Sequence, residues 1–366
     1  MKVLLVAGAR PNFMKIAPIY RASLNHPEVV CKIVHTGQHY DHQMSQTFFD
    51  DLDIPPPAFH LEAGSGSHAV QTAKIMVEFE KVCEQEKPDV VMVVGDVNST
   101  LACSVVAKKF WIKVAHVEAG LRSFDLTMPE EINRMVTDSI TDYFFVTEES
   151  GIQNLLKEGK PEGQIHYVGH VMIDNLLYQK SLLKNGHVDV KAFPTYPLRA
   201  KNSAYAFLTL HRPSNVDSRD NLQEIVDALN VIAEKRPIFF PMHPRTVKMA
   251  NEFGVKFSDR IFLLPPLSFK ESLYLWKDAE VVLTDSGGLQ EETTALGVPC
   301  VTIRENTERP ITVEIGTNVL AGTKKENIIR AYDVSIEKAK TASVPPLWDG
   351  KASERIWKSL KGNYKF

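Results

Sequence analysis

The stretch that decides the fold is Val281-Val-Leu-Thr-Asp-Ser-Gly-Gly-Leu-Gln-Glu-Glu292. A short apolar run ends in Asp-Ser-Gly-Gly and passes straight into a helix-forming run, which is the strand–turn–helix of a βα unit. Glycines let backbone N–H groups approach an anion, and a helix N-terminus favours negative charge. Ser286, Gly287 and Gly288 therefore suit a diphosphate, with Glu292 one turn further on for ribose hydroxyls. An ordinary glycine-rich turn is the plainer reading. The place at a strand's C-terminal end favours the phosphate.

The same unit recurs in both directions along the chain. Strands are expected at Val3–Ala7, Val29–His35, Val90–Val94, Val114–Val117, Tyr143–Val146 and Ile165–Val168, with helices such as 69–85 and 99–110 between them. A polar stretch from Ser181 to Ser203 then interrupts the pattern, and the interdomain connection is placed near it. A second alternation follows, with strands at Ala204–Leu210, Ile238–Pro241, Ile261–Leu264, Val281–Thr284 and Cys300–Ile303, and a last helix at Ala352–Leu360. Apolar strands separated by helices imply parallel sheets covered on both faces. The fold class is therefore α/β, with two doubly wound, Rossmann-like domains facing a cleft. The 366 residues suit two domains, drawn at 1–175 with 352–366, and 176–351.

Several function classes are set aside. The net charge of −3 offers no basic field for nucleic acid. No stretch reaches the ~18 apolar residues of a membrane span. Cys31, Cys83, Cys103 and Cys300 lie far apart without CxxC spacing, so neither a zinc site nor a disulfide framework is expected. Cys103 reads as a small core residue. Isolated thiols in apolar runs fit a reducing compartment, and a soluble cytoplasmic protein is expected. A polyanionic ligand must then be held by local groups.

Those groups sit just after strands, where ligands bind in such sheets. Arg10 and Lys15 flank a Pro11 helix start; a solvated surface pair is the plainer reading, and the place at a strand end favours an anion site. Gly8-Ala-Arg-Pro is not the GxGxxG fingerprint, so a nicotinamide dinucleotide is not indicated. Asp96 follows the strand 90–94, although Asp96 or Asn98 also reads as a plain helix cap. Glu118 ends the next strand, where a buried carboxylate must be paired or used, and Arg122 four residues on is one partner within reach. In Pro129-Glu-Glu-Ile-Asn-Arg134, Glu130, Asn133 and Arg134 share a helix face. Glu131 turns away from that face and reads as solvated. His211-Arg212 and His243-Pro-Arg245 end two successive strands of the second half, and Asn306-Thr-Glu-Arg309-Pro adds polar groups to the same rim.

Taken in order, these segments resemble the non-hydrolysing UDP-N-acetylglucosamine 2-epimerases over nearly the whole chain. The carriers are Gly8-Ala-Arg-Pro with Lys15, Thr36-Gly-Gln-His-Tyr-Asp41, Gly95-Asp96, His116-Val-Glu-Ala-Gly-Leu-Arg122, Pro129-Glu-Glu-Ile-Asn-Arg134, His211-Arg212, Asp285-Ser-Gly-Gly, Thr307-Glu-Arg-Pro310 and Gly350-Lys-Ala-Ser-Glu-Arg355. The resemblance implies a glycosyltransferase-B type fold whose C-terminal helix returns to the first domain. It implies UDP held by Arg10, the Ser286-Gly287-Gly288 turn and Glu292, with Arg134, Arg212, His243 and Arg309 nearby. Asp96, Glu118, Glu130 and His211 fall at the family's catalytic positions, and Lys15 at a further active-site position. The implied reaction eliminates UDP to a 2-acetamidoglucal and adds it back, without a redox cofactor. A homodimer is expected from the same resemblance. Ala9 and Asn12 replace the Thr and Glu of the family's usual opening, as in relatives acting on UDP-diacetamido-glucuronic acids. Tyr40 stands where many bacterial members carry a basic residue near an activator site. A transferase of the same fold, a UDP-sugar hydrolase and a non-catalytic UDP-sugar-binding module are the alternatives.

Overall fold

The computed structural model describes residues 1–37 and 46–363, so Gln38–Asp41 of the second-strand motif, with Tyr40, lie outside it. The chain divides into two compact units, Met1–Asn175 with Pro346–Phe366, and Leu176–Pro345. The boundary at 175 falls inside the helix Val171–Lys184, so the polar stretch beyond it belongs to the second unit.

The first unit carries β1 (Lys2–Ala7), β2 (Val30–His35), β3 (Phe59–His60), β4 (Val90–Val94), β5 (Lys113–Val117), β6 (Tyr143–Val146) and β7 (Ile165–Tyr167). They form one parallel sheet in the order β3-β2-β1-β4-β5-β6-β7. The second unit carries β8 (Ala206–Thr209), β9 (Ile238–Pro241), β10 (Ile261–Leu264), β11 (Val281–Thr284), β12 (Cys300–Thr302) and β13 (Asn318–Leu320), ordered β10-β9-β8-β11-β12-β13 and again parallel. In each sheet the winding reverses beside the first strand of the unit, between β1 and β4 and between β8 and β11. Crevices at such reversals are where open α/β sheets bind ligands.

The central strands are apolar throughout because helices cover both faces. All of β4 is fully buried, as are Val281, Val282 and Leu283 of β11. The helix Ala352–Asn363 completes the first unit's core with Ala352, Ile356, Trp357 and Leu360. Its free N-terminal amides are capped by Asp174, whose carboxylate accepts from Ala352 N at 3.0 Å and Ser353 N at 2.7 Å. The Trp357 indole donates to Ile19 O at 2.8 Å. Chain 346–351 lies with this unit too. Tyr167 donates to Pro346 O at 3.3 Å, and Trp348 packs edge-on against His170. Leu347 O sits so close to Gly169, at φ +90°, that a Cβ there would lie 2.2 Å from it.

The helix Pro129–Ile140 is inverted. It buries Glu131, Asn133, Thr137 and Asp138, while Ile132, Met135 and Val136 are 48%, 43% and 38% exposed. Burying that polar face requires partners, which the strand ends provide.

Candidate active site

In the first unit, strands β4 and β5 pair with Val94 opposite Val117, so Gly95-Asp96 and Glu118 emerge side by side. Glu118 takes a left-handed backbone, φ +69°, which costs a non-glycine residue about 1–3 kcal/mol and marks sites where surroundings hold a side chain in place. Its carboxylate meets Lys15 Nζ at 2.5 Å, not Arg122. Four-residue spacing brings side chains together on a helix, and the left-handed turn at Glu118 removes that geometry. Arg122 instead pairs with Asp138 at 2.8 Å and with both oxygens of Glu158. Lys15 is therefore committed to a carboxylate, and Arg10 alone of the expected cation pair stands exposed, 4.9 Å over the Phe48 ring.

Asp96 does not cap the helix Asn98–Lys109, nor does Asn98; Val97 stands at that position. Arg134 donates to Asp96 Oδ2 from Nη2 at 2.6 Å and Nε at 3.1 Å, and Asn133 donates to the Asp96 carbonyl at 2.9 Å. Glu130, on the same face, has no hydrogen-bond or ion-pair partner among the described residues and is half-buried. Glu131 is the correction to the sequence reading. It is only 1% exposed, and accepts from Ser123 N at 2.9 Å, Phe124 N at 3.0 Å and Arg134 Nη1 at 2.7 Å. The loop after β5 presents two amides with no strand to pair with, and a first-turn glutamate is what reaches them. Burial alone would raise the Glu131 pKa, but those amides and Arg134 bring it below the ordinary carboxylate value.

In the second unit, Asp285 is fully buried between the ends of β8 and β11. Its Oδ2 accepts from His211 N at 2.9 Å, Arg212 N at 2.7 Å and Asn215 Nδ2 at 3.2 Å, and its Oδ1 lies 2.8 Å from His211 Nδ1. Burial works against its ionisation, yet the His211 side chain and the two amides win and lower its pKa. The His211 ring, 41% exposed, thus has one nitrogen anchored. It lies 5.9 Å from the His243 ring, whose Nδ1 accepts from Arg245 N at 3.2 Å. A cavity of about 210 Å³ opens there, lined by Leu210, His211, Met242, His243 and Leu267.

The turn after β11 is shaped as the sequence implies. Ser286 heads the helix Gly287–Leu296 with no side-chain cap, and a Cβ at Gly287 or Gly288 would meet nothing within 4 Å. The first amides of that helix thus border open space, the arrangement that binds phosphate. Gln290 fastens the turn by donating to Ser286 O at 3.1 Å while accepting from Thr307 at 2.6 Å. Arg309 pairs with Glu291 at 2.7 Å. Glu292 is buried without a hydrogen-bond partner among the described residues; burial, with Glu291 beside it, pushes its pKa up to about 8. Glu308 is held at about 2, chiefly by its hydrogen bonds to Arg304, and Arg212's charge contributes.

Sequence reasoning missed Asp138, Glu131 as a hub, and Asp285 as the anchor of His211. Each is a buried carboxylate with several N–H donors around it, and only Asp285 carried a local signal, directly after a strand.

Comparison with known proteins agrees in kind. The family model described as UDP-N-acetylglucosamine 2-epimerase matches residues 21–361. The UDP-N-acetylglucosamine 2-epimerase of Methanocaldococcus jannaschii is 44% identical over 366 residues, covering 98% of this chain and 99% of that protein. The UDP-2,3-diacetamido-2,3-dideoxy-D-glucuronate 2-epimerase of Pseudomonas aeruginosa is 38% identical, covering 97% and 98%. Among solved structures, the M. jannaschii enzyme in complex with UDP-GlcNAc and UDP superposes with a TM-score of 0.84 over 99% of this chain and all of that one. The Neisseria meningitidis UDP-GlcNAc 2-epimerase bound to UDP-GlcNAc gives 0.87 at 30% identity over 99% of this chain and 100% of its own.

Proposed function

The chain belongs to the UDP-N-acetylglucosamine 2-epimerase family, and from that premise we propose how its residues invert C2 of UDP-N-acetylglucosamine to give UDP-N-acetylmannosamine. The observation that carries the reading is the pair of carboxylates at neighbouring strand ends, Asp96 held by Arg134 and Glu118 held by Lys15. A glycosyl transfer needs no such pair, whereas inversion through a planar carbon needs a proton removed on one face and delivered on the other.

A carboxylate base takes the proton from C2, the C2–H electron pair becomes the C1=C2 double bond of a 2-acetamidoglucal, and the C1–O bond breaks with its pair leaving on UDP. In the second stage a UDP oxygen re-forms the bond to C1, and a proton adds to the other face of C2. Asp96, Glu118 and Glu130 supply the groups for these two transfers, and Lys15 and His211 complete the set. The leaving diphosphate takes up charge as it departs, which donors already in place stabilise without reorganisation. The open amides of Ser286, Gly287 and Gly288, with Arg10, Arg212 and Arg309, fill that role in this reading. Glu292 serves the ribose, and the cavity at His243 takes the flat base. Among the described residues no helix is long and apolar enough to cross a membrane. We take the enzyme to work as a cytoplasmic homodimer, to be checked by light scattering of the purified chain, where a monomer mass refutes the dimer.

The test is proton NMR of UDP-N-acetylglucosamine with the pure protein in deuterated water. UDP-N-acetylmannosamine carrying deuterium at C2 is the expected product. UDP with free sugar would instead mark a hydrolase, and an unchanged spectrum overturns this substrate. The likeness to the P. aeruginosa enzyme makes a UDP-2,3-diacetamido-glucuronate the second substrate to test.

A further inference from the structure

The motif His116-Val-Glu-Ala-Gly-Leu-Arg122 contains a histidine that the reaction above leaves unused. His116 and Asp138 are both fully buried. The ring's Nε2 lies 2.9 Å from Gly95 O, and its Nδ1 lies 2.7 Å from Asp138 Oδ1. A carbonyl oxygen can only accept, so Nε2 carries a hydrogen. Asp138 Oδ2 accepts from Gly120 N at 3.0 Å and Arg122 Nη2 at 2.8 Å, the pattern of an ionised carboxylate. An ionised Asp138 only accepts as well, so Nδ1 also carries a hydrogen. We propose that His116 is a permanently protonated positioning residue, a buried imidazolium that ties the Gly95–Asp96 turn to the Glu118–Arg122 turn and so sets the relative placement of the two reacting carboxylates.

The geometry explains why a cation is built in here. Gly95 N still donates to Val117 O of β5 at 3.1 Å, but its carbonyl, on a left-handed turn (φ +71°) just before Asp96, meets the His116 ring instead. Gly120 N belongs to the turn that holds Glu118 in its left-handed conformation. One imidazolium and its carboxylate bridge both, so neither turn can shift alone. The charges facing the ring are Asp138, with Arg122 and Glu158 behind it, and Glu118. Burial works against a charged His116, but Asp138's charge and hydrogen bond, the Gly95 carbonyl and Glu118 prevail and raise its pKa. Asp138 moves the opposite way, burial being outweighed by His116 and Arg122.

The kinetic half of this inference rests on the epimerase reading; the protonation half does not. Neutron diffraction from crystals of the whole protein, exchanged into deuterated buffer at about pH 8, is expected to show deuterium on both ring nitrogens of His116. A single deuteron overturns the proposal. In solution, His116→Gln and Asp138→Asn are expected to lower kcat by about 100-fold, the scale of a small misplacement of reacting groups, with KM changed less than about threefold. UDP affinity, measured by calorimetry, is expected to stay within about threefold of wild type. Near-wild-type kcat in a folded variant, or equal losses in kcat, KM and UDP binding, overturns the positioning role. Should Gln at 116 prevent folding, Asp138→Asn, which keeps the side chain's shape, decides the kinetic half. A wild-type protein with no epimerase activity would sink the functional reading and leave the neutron result standing.

Discussion

Replacing Glu131 with Gln tests whether a residue that touches no reacting group governs the site. The carboxylate receives Ser123 N and Arg134 Nη1 on Oε2 and Phe124 N on Oε1. An amide has one acceptor. Its better orientation keeps the oxygen for Ser123 and Arg134 and turns its NH2 against Phe124 N–H, which is left unpaired. A stranded amide costs about 1–3 kcal/mol. The Arg134 contact, now to a neutral acceptor, loses roughly half its strength, about 1 kcal/mol more. The loop's held state therefore weakens by about 2–4 kcal/mol, which is a rise of about 30- to 900-fold in its released population. Amide exchange read by mass spectrometry on peptides spanning 121–128 should accelerate by that factor. Because Arg134 also orients Asp96, kcat should fall at least about tenfold. Unchanged exchange in those peptides together with unchanged kcat would refute the latch.

Three other outcomes follow from the geometry. Gly288→Ala puts a methyl where the helix amides face open space, so UDP should bind at least about tenfold more weakly by calorimetry, while melting temperature holds or rises because Ala is the better helix former by about 1 kcal/mol. Trp357→Ala removes a fully buried ring and its bond to Ile19 O, about 3–5 kcal/mol, which scanning calorimetry should record as a drop of about 6–20 °C in the first unit's transition. Glu292 titrates at about 8 when folded and near 4.5 when unfolded, so the folded state holds the extra proton between those values and wild-type stability declines as pH rises through that window. Glu292→Gln should flatten this decline in urea titrations at pH 5 and 8, and equal slopes for the two proteins would refute the assignment.

The α/β class and the central strands were legible because buried parallel strands read as continuous apolar runs. The two short edge strands were not; Phe59–His60 and Asn318–Leu320 are too brief for any pattern. Asp96, Glu118, His211 and Ser286 were legible for a positional reason, since each closely follows a strand at or near a winding reversal. Their partners were not. Lys15 reaches Glu118 across 103 positions, while local spacing pointed to Arg122. Asp138 and Glu131 were hidden by the inverted helix. Ile132, Met135 and Val136 suggest an inward face, and the chain turns that face out because Asp96, His116 and the loop amides need polar partners more.

The return of the helix Ala352–Asn363 sets an order of events during synthesis. Its apolar side chains complete a core begun by strands and helices near the start of the chain, so that core keeps an open seam while the whole second unit is made. At about 5–20 residues per second, translating 176–345 takes about 10–30 s. Through that interval the face of the helix Arg10–Ser23 that meets Trp357 is bare to solvent. The unit written first is thus closed last, and a ribosome that stalls within the second unit releases a first unit whose seam is a binding surface for chaperones.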